Sequence, residues 1–115
     1  MESILTSIKK ILGIYADDTS FDVDIIMHIN TVFMILRQMG IGPANGYSIR
    51  DSYDTWYDYL GEDTLLESVK TYVALKVRLI FDPPASSAMM EAMNRTISEL
   101  EWRLNDQVDY ARSFT

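Results

Sequence analysis

Cysteine is absent from the 115 residues, which excludes disulfide bonds, thiolate nucleophiles and cysteine-ligated zinc. Basic residues are also few, because ten Lys and Arg stand against 17 Asp and Glu, for a formal net charge of -7. Binding to a phosphate backbone needs concentrated Lys and Arg, so the composition argues against general nucleic-acid binding. The N-terminal segment lacks a long apolar core, so we expect neither a secretory signal nor a membrane anchor.

Apolar residues are plentiful, at 48% of the chain. A chain of this length and composition forms one domain with a single core, and it buries roughly two thirds of its unfolded surface. The apolar stripe of the last helical segment is lost after Leu104. We therefore predict a single helical domain over residues 1–104 and a flexible C-terminal tail over residues 105–115.

The spacing of apolar residues predicts an all-α bundle of four to five helices. We expect them over residues 4–12, 22–39, 51–60, 64–81 and 87–104. The fourth is apolar around more than half of its circumference, which is typical of a central helix between neighbours. Its start at Thr64 and Glu67 fits a capping box. Pro83 and Pro84 must end it, so the last two helices form a hairpin broken at this pair.

Glycines and a proline cluster in residues 40–46, which predicts a turn-rich connection after the second helix. The Asn45-Gly46 pair is also typical of a hairpin turn. Neither flank alternates apolar and polar residues, however, so we expect at most a two-residue ladder there.

Catalytic chemistry has little support in the sequence. The single histidine, His28, lies four residues after Asp24, but no third metal ligand follows at helical spacing. No phosphate-binding loop, nucleophile elbow or catalytic triad is recognisable. We therefore expect no enzyme activity, no metal and no cofactor.

The segment 51–60 combines acidic and aromatic residues. Its carboxylates, with Glu62, would suit a calcium or acid/base cluster, but the calcium-loop pattern is absent and a solvated acidic face is favoured. Its aromatic residues would suit a ligand-stacking platform, although core and interface anchors are more usual. The carboxylates concerned are Asp51, Asp54 and Asp58, and the aromatic residues are Tyr53, Trp56, Tyr57 and Tyr59.

Apolar residues remain on the side of the second helix that faces away from its main stripe. Met27, Met34 and Ile35 lie there, and they are candidates for a contact between protomers, since methionine adapts to its partner. The end of the chain contributes residue types that are enriched at interfaces, Tyr110, Arg112 and Phe114. Isolated exposed apolar residues and a frayed terminus are the alternative interpretations.

Several motifs together resemble the small head-tail connector (adaptor) proteins of tailed bacteriophages and prophages. The resemblance covers about residues 4–104, and its strongest part is the fourth helix with its Pro-Pro break and the Leu-Glu-Trp-Arg ending. The motifs are Phe21-Asp-Val-Asp-Ile-Ile, Gly40-Ile-Gly-Pro43, Trp56-Tyr-Asp-Tyr-Leu60, the stretch 69–84 and Glu99-Leu-Glu-Trp-Arg-Leu104.

The resemblance implies a structural virion protein that forms a homo-oligomeric ring beneath the portal, around the DNA exit channel. It implies that the C-terminal segment docks on the portal and that other loops meet a stopper or tail-completion protein. DNA would pass through without specific binding. An acidic surface suits the wall of such a channel, and on this ground we assign Asp51, Asp54 and Asp58 to it. The protein would reside at the head-tail junction of the virion, after assembly in the host bacterial cytoplasm.

Two other classes compete with this interpretation. A small helical DNA-binding or regulatory protein would need a recognition helix rich in basic or amide residues, whereas the last helix mixes Asn94, Arg95 and Arg103 with several glutamates. A metal-binding bundle or small enzyme would need facing carboxylates of the Glu-x-x-His type, and that motif does not occur.

Overall fold

The computed structural model describes residues 2–112, which form five helices and no strand, so the all-α prediction is confirmed. The side chain of Arg112 and residues 113–115 lie outside the description. The helices are α1 (Ile4–Ile11), α2 (Asp22–Gln38), α3 (Trp56–Leu60), α4 (Leu66–Phe81) and α5 (Ser87–Arg112).

Helix α1 begins and ends as its sequence predicts. The Ser3 hydroxyl oxygen accepts a hydrogen bond from the Thr6 amide, which satisfies one of the free donors of the first turn. Two lysines in the last turn favour the negative end of the helix dipole. Gly13 follows with φ +79°, a left-handed conformation that other residues adopt at a cost.

Helix α2 carries the main core stripe and holds the connection that follows it. The Asn30 side chain donates to the Ile49 carbonyl at 3.0 Å and accepts from the Ile49 amide at 2.8 Å. The Gly46 amide donates to the Pro43 carbonyl at 2.9 Å, so the Gly-rich segment forms a turn. Within residues 2–112 the one β-type pairing is an isolated bridge between Ser3 and Thr55, and the Asn45-Gly46 pair forms no ladder.

Helix α3 is shorter than predicted, because it begins at Trp56 and not at Asp51. Thr55 caps it in a reciprocal capping box, in which its hydroxyl accepts from the Asp58 amide and the Asp58 carboxylate accepts from the Thr55 amide, both at 3.1 Å. The capping box predicted at Thr64 and Glu67 is wrong, since α4 begins at Leu66 without a side-chain cap.

The predicted break between the last two helices is confirmed, as α4 ends at Phe81, directly before Asp82-Pro83-Pro84. Helix α5 then runs for 26 residues without interruption. The prediction that the apolar stripe ends at Leu104 is wrong, because Val108, one turn later, is 8% exposed. The boundary predicted at 104 therefore falls inside a continuous helix.

The helices pack in the order α1, α2, α4, α5, and the principal contacts join only neighbours in that order. The molecule is a flat slab of 45 × 36 × 19 Å. The ring of Phe21 lies 5.5 Å from that of Phe81, so the start of α2 lies beside the end of α4 and the two helices are antiparallel. Helix α5 packs chiefly on α4, which makes it an edge of the slab.

A single core fills the slab. The fully buried side chains come from α1, α2, α4 and α5 and from the connection before α3; the largest are Tyr72, Phe33, Ile4, Leu5, Ile8, Ile25, Ile29, Leu36, Ile49 and Leu104. Within the described residues the one buried charged residue is Lys9, whose Nζ lies 2.8 Å from Asp22 Oδ1.

Candidate functional site

The outer face of α2 exposes three large apolar side chains. Val23, Met27 and Met34 are 78%, 56% and 52% exposed, and we call them the α2 stripe. The hydroxyl of Thr31, which lies between them, donates to the Met27 carbonyl of the same helix. Ile35 is half-buried at the edge of this face. The α2 stripe contains Met27 and Met34 as predicted, and the structure adds Val23.

The outer face of α5 is largely charged but carries two exposed aromatic rings, Trp102 at 67% and Tyr110 at 64%. The charges are partly paired within the helix, since Arg103 Nη2 lies 2.8 Å from Glu99 Oε1. Trp102 borders a cleft of about 400 Å³ between α5 and the start of α4. Of the predicted C-terminal interface residues, Phe114 and the side chain of Arg112 lie outside the described part of the chain.

The acidic residues Asp51, Asp54 and Asp58 do not share one side of a helix, because residues 51–55 are turns and extended backbone. Each carboxylate instead accepts a hydrogen bond from a nearby amide. Asp51 accepts from Tyr53 at 2.9 Å and Asp54 from Arg50 at 2.8 Å, while Asp58 belongs to the α3 capping box. The carboxylates therefore shape this segment.

The aromatic residues near α3 divide into core and surface. Trp56 and Tyr59 are buried, and Tyr59 stacks at 4.3 Å between ring centroids on Phe33 of α2. Burial raises the pKa of Tyr59 above its ordinary value. Tyr53 and Tyr57 are 86% and 47% exposed. The four rings therefore do not form one stacking platform, and the core interpretation applies to Trp56 and Tyr59.

No group of three or more potential metal ligands occurs in the part of the chain that the structure describes. The ring of His28 packs at 6.4 Å against Phe81. A cleft of about 520 Å³ lies between the N-terminal segment, α3 and the start of α4. Lys70 lies in it, 2.6 Å from Glu2 and 6.0 Å from the centre of the Trp56 ring, so its charge is engaged in holding the N-terminal segment.

The loop between α1 and α2, over residues 12–21, was expected as a connection but was not recognised from the sequence as a candidate surface, and we call it the α1–α2 loop. Tyr15 in this loop is 82% exposed. The loop is bound on its inner side by the buried Lys9, whose Nζ donates to the Ala16 carbonyl at 3.1 Å. The signal available in the sequence was a lysine on the apolar side of α1, next to Ile8.

Among the described residues, no helix combines the length and the apolar character that crossing a bilayer would require.

The exposed methionine and aromatic side chains of this small all-α slab are suited to protein contacts. The family model described as phage connector protein matches residues 4–111. This chain therefore belongs to the phage connector protein family, and it is a structural component of a phage particle that contacts other head or tail proteins. Comparison with curated proteins and with solved structures finds no match.

Proposed function

We propose that this connector joins the portal to the tail or to a stopper protein, as a homo-oligomeric ring around the DNA exit channel. The observation that carries the proposal is the family match over residues 4–111 of a slab that presents apolar anchors on two different faces. In a closed ring of identical protomers, each protomer contacts its two neighbours through two different, complementary surfaces.

The α2 stripe supplies one of these surfaces. Its two methionines have long, flexible side chains and are separated by two helical turns, so with Val23 they form a strip along the helix. We assign the half-buried Ile35 to its margin. The stripe is narrow, so protomers would associate weakly until the portal arranges them.

The C-terminal half of α5 supplies the second of these surfaces in this proposal, and it also provides the contact with the portal. Trp102 and Tyr110 are residue types that carry much of the binding energy at protein interfaces. Arg112 and Phe114 would extend the same contact. Because α5 packs chiefly on α4, its opposite side is accessible to a partner.

Asp51, Asp54 and Asp58 are proposed to face the channel. An acidic wall repels the duplex weakly and lets it slide without specific binding. The net charge of -7 is consistent with this role. Assembly would take place in the host bacterial cytoplasm, where the portal becomes accessible after DNA packaging.

The test is light scattering on a size-exclusion column, with and without the portal protein of the same genome. The wild-type chain should form a closed ring or co-elute with the portal. The double variant Met27→Glu/Met34→Glu should lose ring formation, because it introduces charges into the proposed protomer contact.

The matched control is Met89→Glu, since Met89 is 57% exposed and lies on a different helix, α5. It should assemble as the wild type does. A chain that stays monomeric and ignores the portal would overturn the proposal, and retention of DNA by that chain on a filter would point to the regulatory class instead.

A further inference from the structure

The α1–α2 loop is held in a fixed shape from inside the molecule. Lys9 Nζ, with a side chain only 3% exposed, binds both the Ala16 carbonyl at 3.1 Å and Asp22 Oδ1 at 2.8 Å. One buried cation thus links the last turn of α1, the middle of the loop and the first turn of α2. Buried charges contribute little net stability, and their best attested role is to specify one conformation.

The outer side of the loop is ordered as well. The Asp18 amide donates to the Tyr15 carbonyl at 3.0 Å, which closes a turn. The Asp18 carboxylate accepts from the Ser20 amide at 3.1 Å, and the hydrogen bonds from Ser20 lower the pKa of Asp18 below its ordinary value.

The fixed loop presents an aromatic ring beside negative charge. Tyr15 is 82% exposed and borders a cleft of about 390 Å³, whose other walls include Thr6 and Lys10. Asp17 is exposed two residues further on. Because the backbone at Tyr15 is fixed, a partner that binds the ring has to order only the side chain, and a guanidinium group can stack on the ring while it pairs with a carboxylate.

The position of the loop separates it from the proposed portal contact. The start of α2 lies beside the end of α4. The start of α4 lies beside the C-terminal half of α5, because residues 64–68 and 102–107 line one cleft. The α1–α2 loop and the C-terminal end of α5 therefore lie at opposite ends of the slab.

We propose that the α1–α2 loop is a preformed docking element, anchored by Tyr15, for a basic surface on the tail-side neighbour of the connector. The inference rests on the proposed function, since it takes the end of α5 to face the portal. A second copy of the chain is the weaker candidate, because each copy carries a net charge of -7 and like charges would meet.

The experiment measures binding of the full-length chain to the purified stopper or tail-completion protein of the same genome, and separately to its portal protein. Tyr15→Ala should raise the Kd for the tail-side protein about tenfold or more. Asp17→Lys should slow association and reduce its dependence on salt. Neither variant should change binding to the portal.

The control for Tyr15→Ala is Tyr53→Ala, since Tyr53 is similarly exposed, at 86%, and also has two aspartates close to it in sequence. It should bind the tail-side protein as the wild type does. Lys9→Met tests the role of the buried lysine: binding should weaken although every loop residue is retained. Hydrogen exchange of the loop amides in the free protein should become faster in this variant.

The outcomes separate the two proposals. If the wild type binds the tail-side protein and Tyr15→Ala binds equally well, the docking role of the loop is wrong and the connector function stands. If Tyr15→Ala weakens binding to the portal alone, or self-association alone, the assigned partner is wrong. If the wild type binds neither protein, both proposals fall.

Discussion

The hydroxyl of Tyr72 donates a hydrogen bond of 2.8 Å to Glu101 Oε2 and thereby joins α4 to α5 in the middle of their contact. Tyr72 is fully buried and lies on the central helix, whereas Glu101 is half-buried on the edge helix. The bond fixes the register of α5 between the buried residues Ile97 and Leu104. The pKa of Tyr72 is raised above its ordinary value, chiefly by burial and to a smaller extent by this hydrogen bond and by the charge of Glu101.

Tyr72→Phe should lower the free energy of unfolding by about 1.5–3 kcal/mol, because a hydrogen bond to a charged group is lost and the half-buried carboxylate keeps no replacement. Urea unfolding at neutral pH measures the change. Tyr57→Phe serves as the control, since Tyr57 is 47% exposed and its loss should be within about 0.5 kcal/mol. Equal effects from both variants would show that the bond adds nothing.

Tyr59→Phe should behave in the opposite way at neutral pH. The Tyr59 hydroxyl is buried and has no hydrogen-bond partner among the described residues, so its removal should be neutral or stabilise the fold by about 1 kcal/mol. A loss of stability above 1 kcal/mol in urea unfolding would contradict this reading of the site.

The same variant should flatten the alkaline pH dependence of stability. Burial raises the pKa of Tyr59 in the folded state, so the unfolded state releases its proton first. The contribution of Tyr59 to the free energy of unfolding is therefore fully present below its unfolded-state pKa of about 10. It is lost as the pH rises above that value, by up to about 1.4 kcal/mol per pH unit. Unfolding of the wild type and the variant between pH 9 and pH 11 compares the two slopes, and parallel slopes would refute the prediction.

Gly42→Ala should destabilise the fold more than Gly13→Ala. Both glycines have a left-handed backbone, with φ +95° and +79°, so each substitution carries a conformational cost of about 1–2 kcal/mol. A Cβ at Gly42 would also lie 2.8 Å from a ring carbon of the buried Tyr59, whereas nothing lies within 4 Å at Gly13. We expect the additional loss at Gly42 to be about 1–3 kcal/mol. Thermal and urea unfolding of the two variants provide the comparison, and equal losses would show that the core yields to the methyl group.

Asn30→Ala should loosen the segment after α2. It removes both hydrogen bonds to Ile49, whose side chain is buried, and we expect a loss of about 2–3 kcal/mol. Asn105→Ala is the matched control, because Asn105 is exposed and donates only to a carbonyl of its own helix. Hydrogen exchange should locate the effect of Asn30→Ala in residues 41–50. Protection there as in the wild type would contradict the prediction.

The helices with a strong stripe were predictable because burial of one face dominates their energetics. Gly13 and Pro83 mark helix ends, because glycine adopts a left-handed backbone at little cost and proline can neither donate a backbone hydrogen bond nor follow a helical residue without a clash. Segment 51–60 shows the limit of this reasoning. The spacing of its apolar and acidic residues fits a helix. However, the carboxylates of Asp51 and Asp54 accept hydrogen bonds from nearby backbone amides, and the turns that these bonds stabilise compete with helix formation.

The candidate surfaces were predictable only in part. Met27 and Met34 were recognisable because they fall outside the main stripe of their helix. Tyr15 carried no comparable signal, since it lies in a loop whose two ends are joined by the ion pair between Lys9 and Asp22. The helical spacing of apolar residues does not predict how such an ion pair positions a loop. The continuation of α5 to Arg112 was missed because one buried residue, Val108, extends the stripe among polar neighbours.

The order in which the helices pack has a consequence for how quickly a subunit becomes available. The principal packings join α1 with α2, α2 with α4 and α4 with α5, and most contacts in the fold join residues that are close in sequence. Chains dominated by such local contacts fold in microseconds to milliseconds. A newly synthesised copy would therefore be folded before it meets another phage protein. The encounter between partners, and not the folding of the chain, would then limit the rate of assembly.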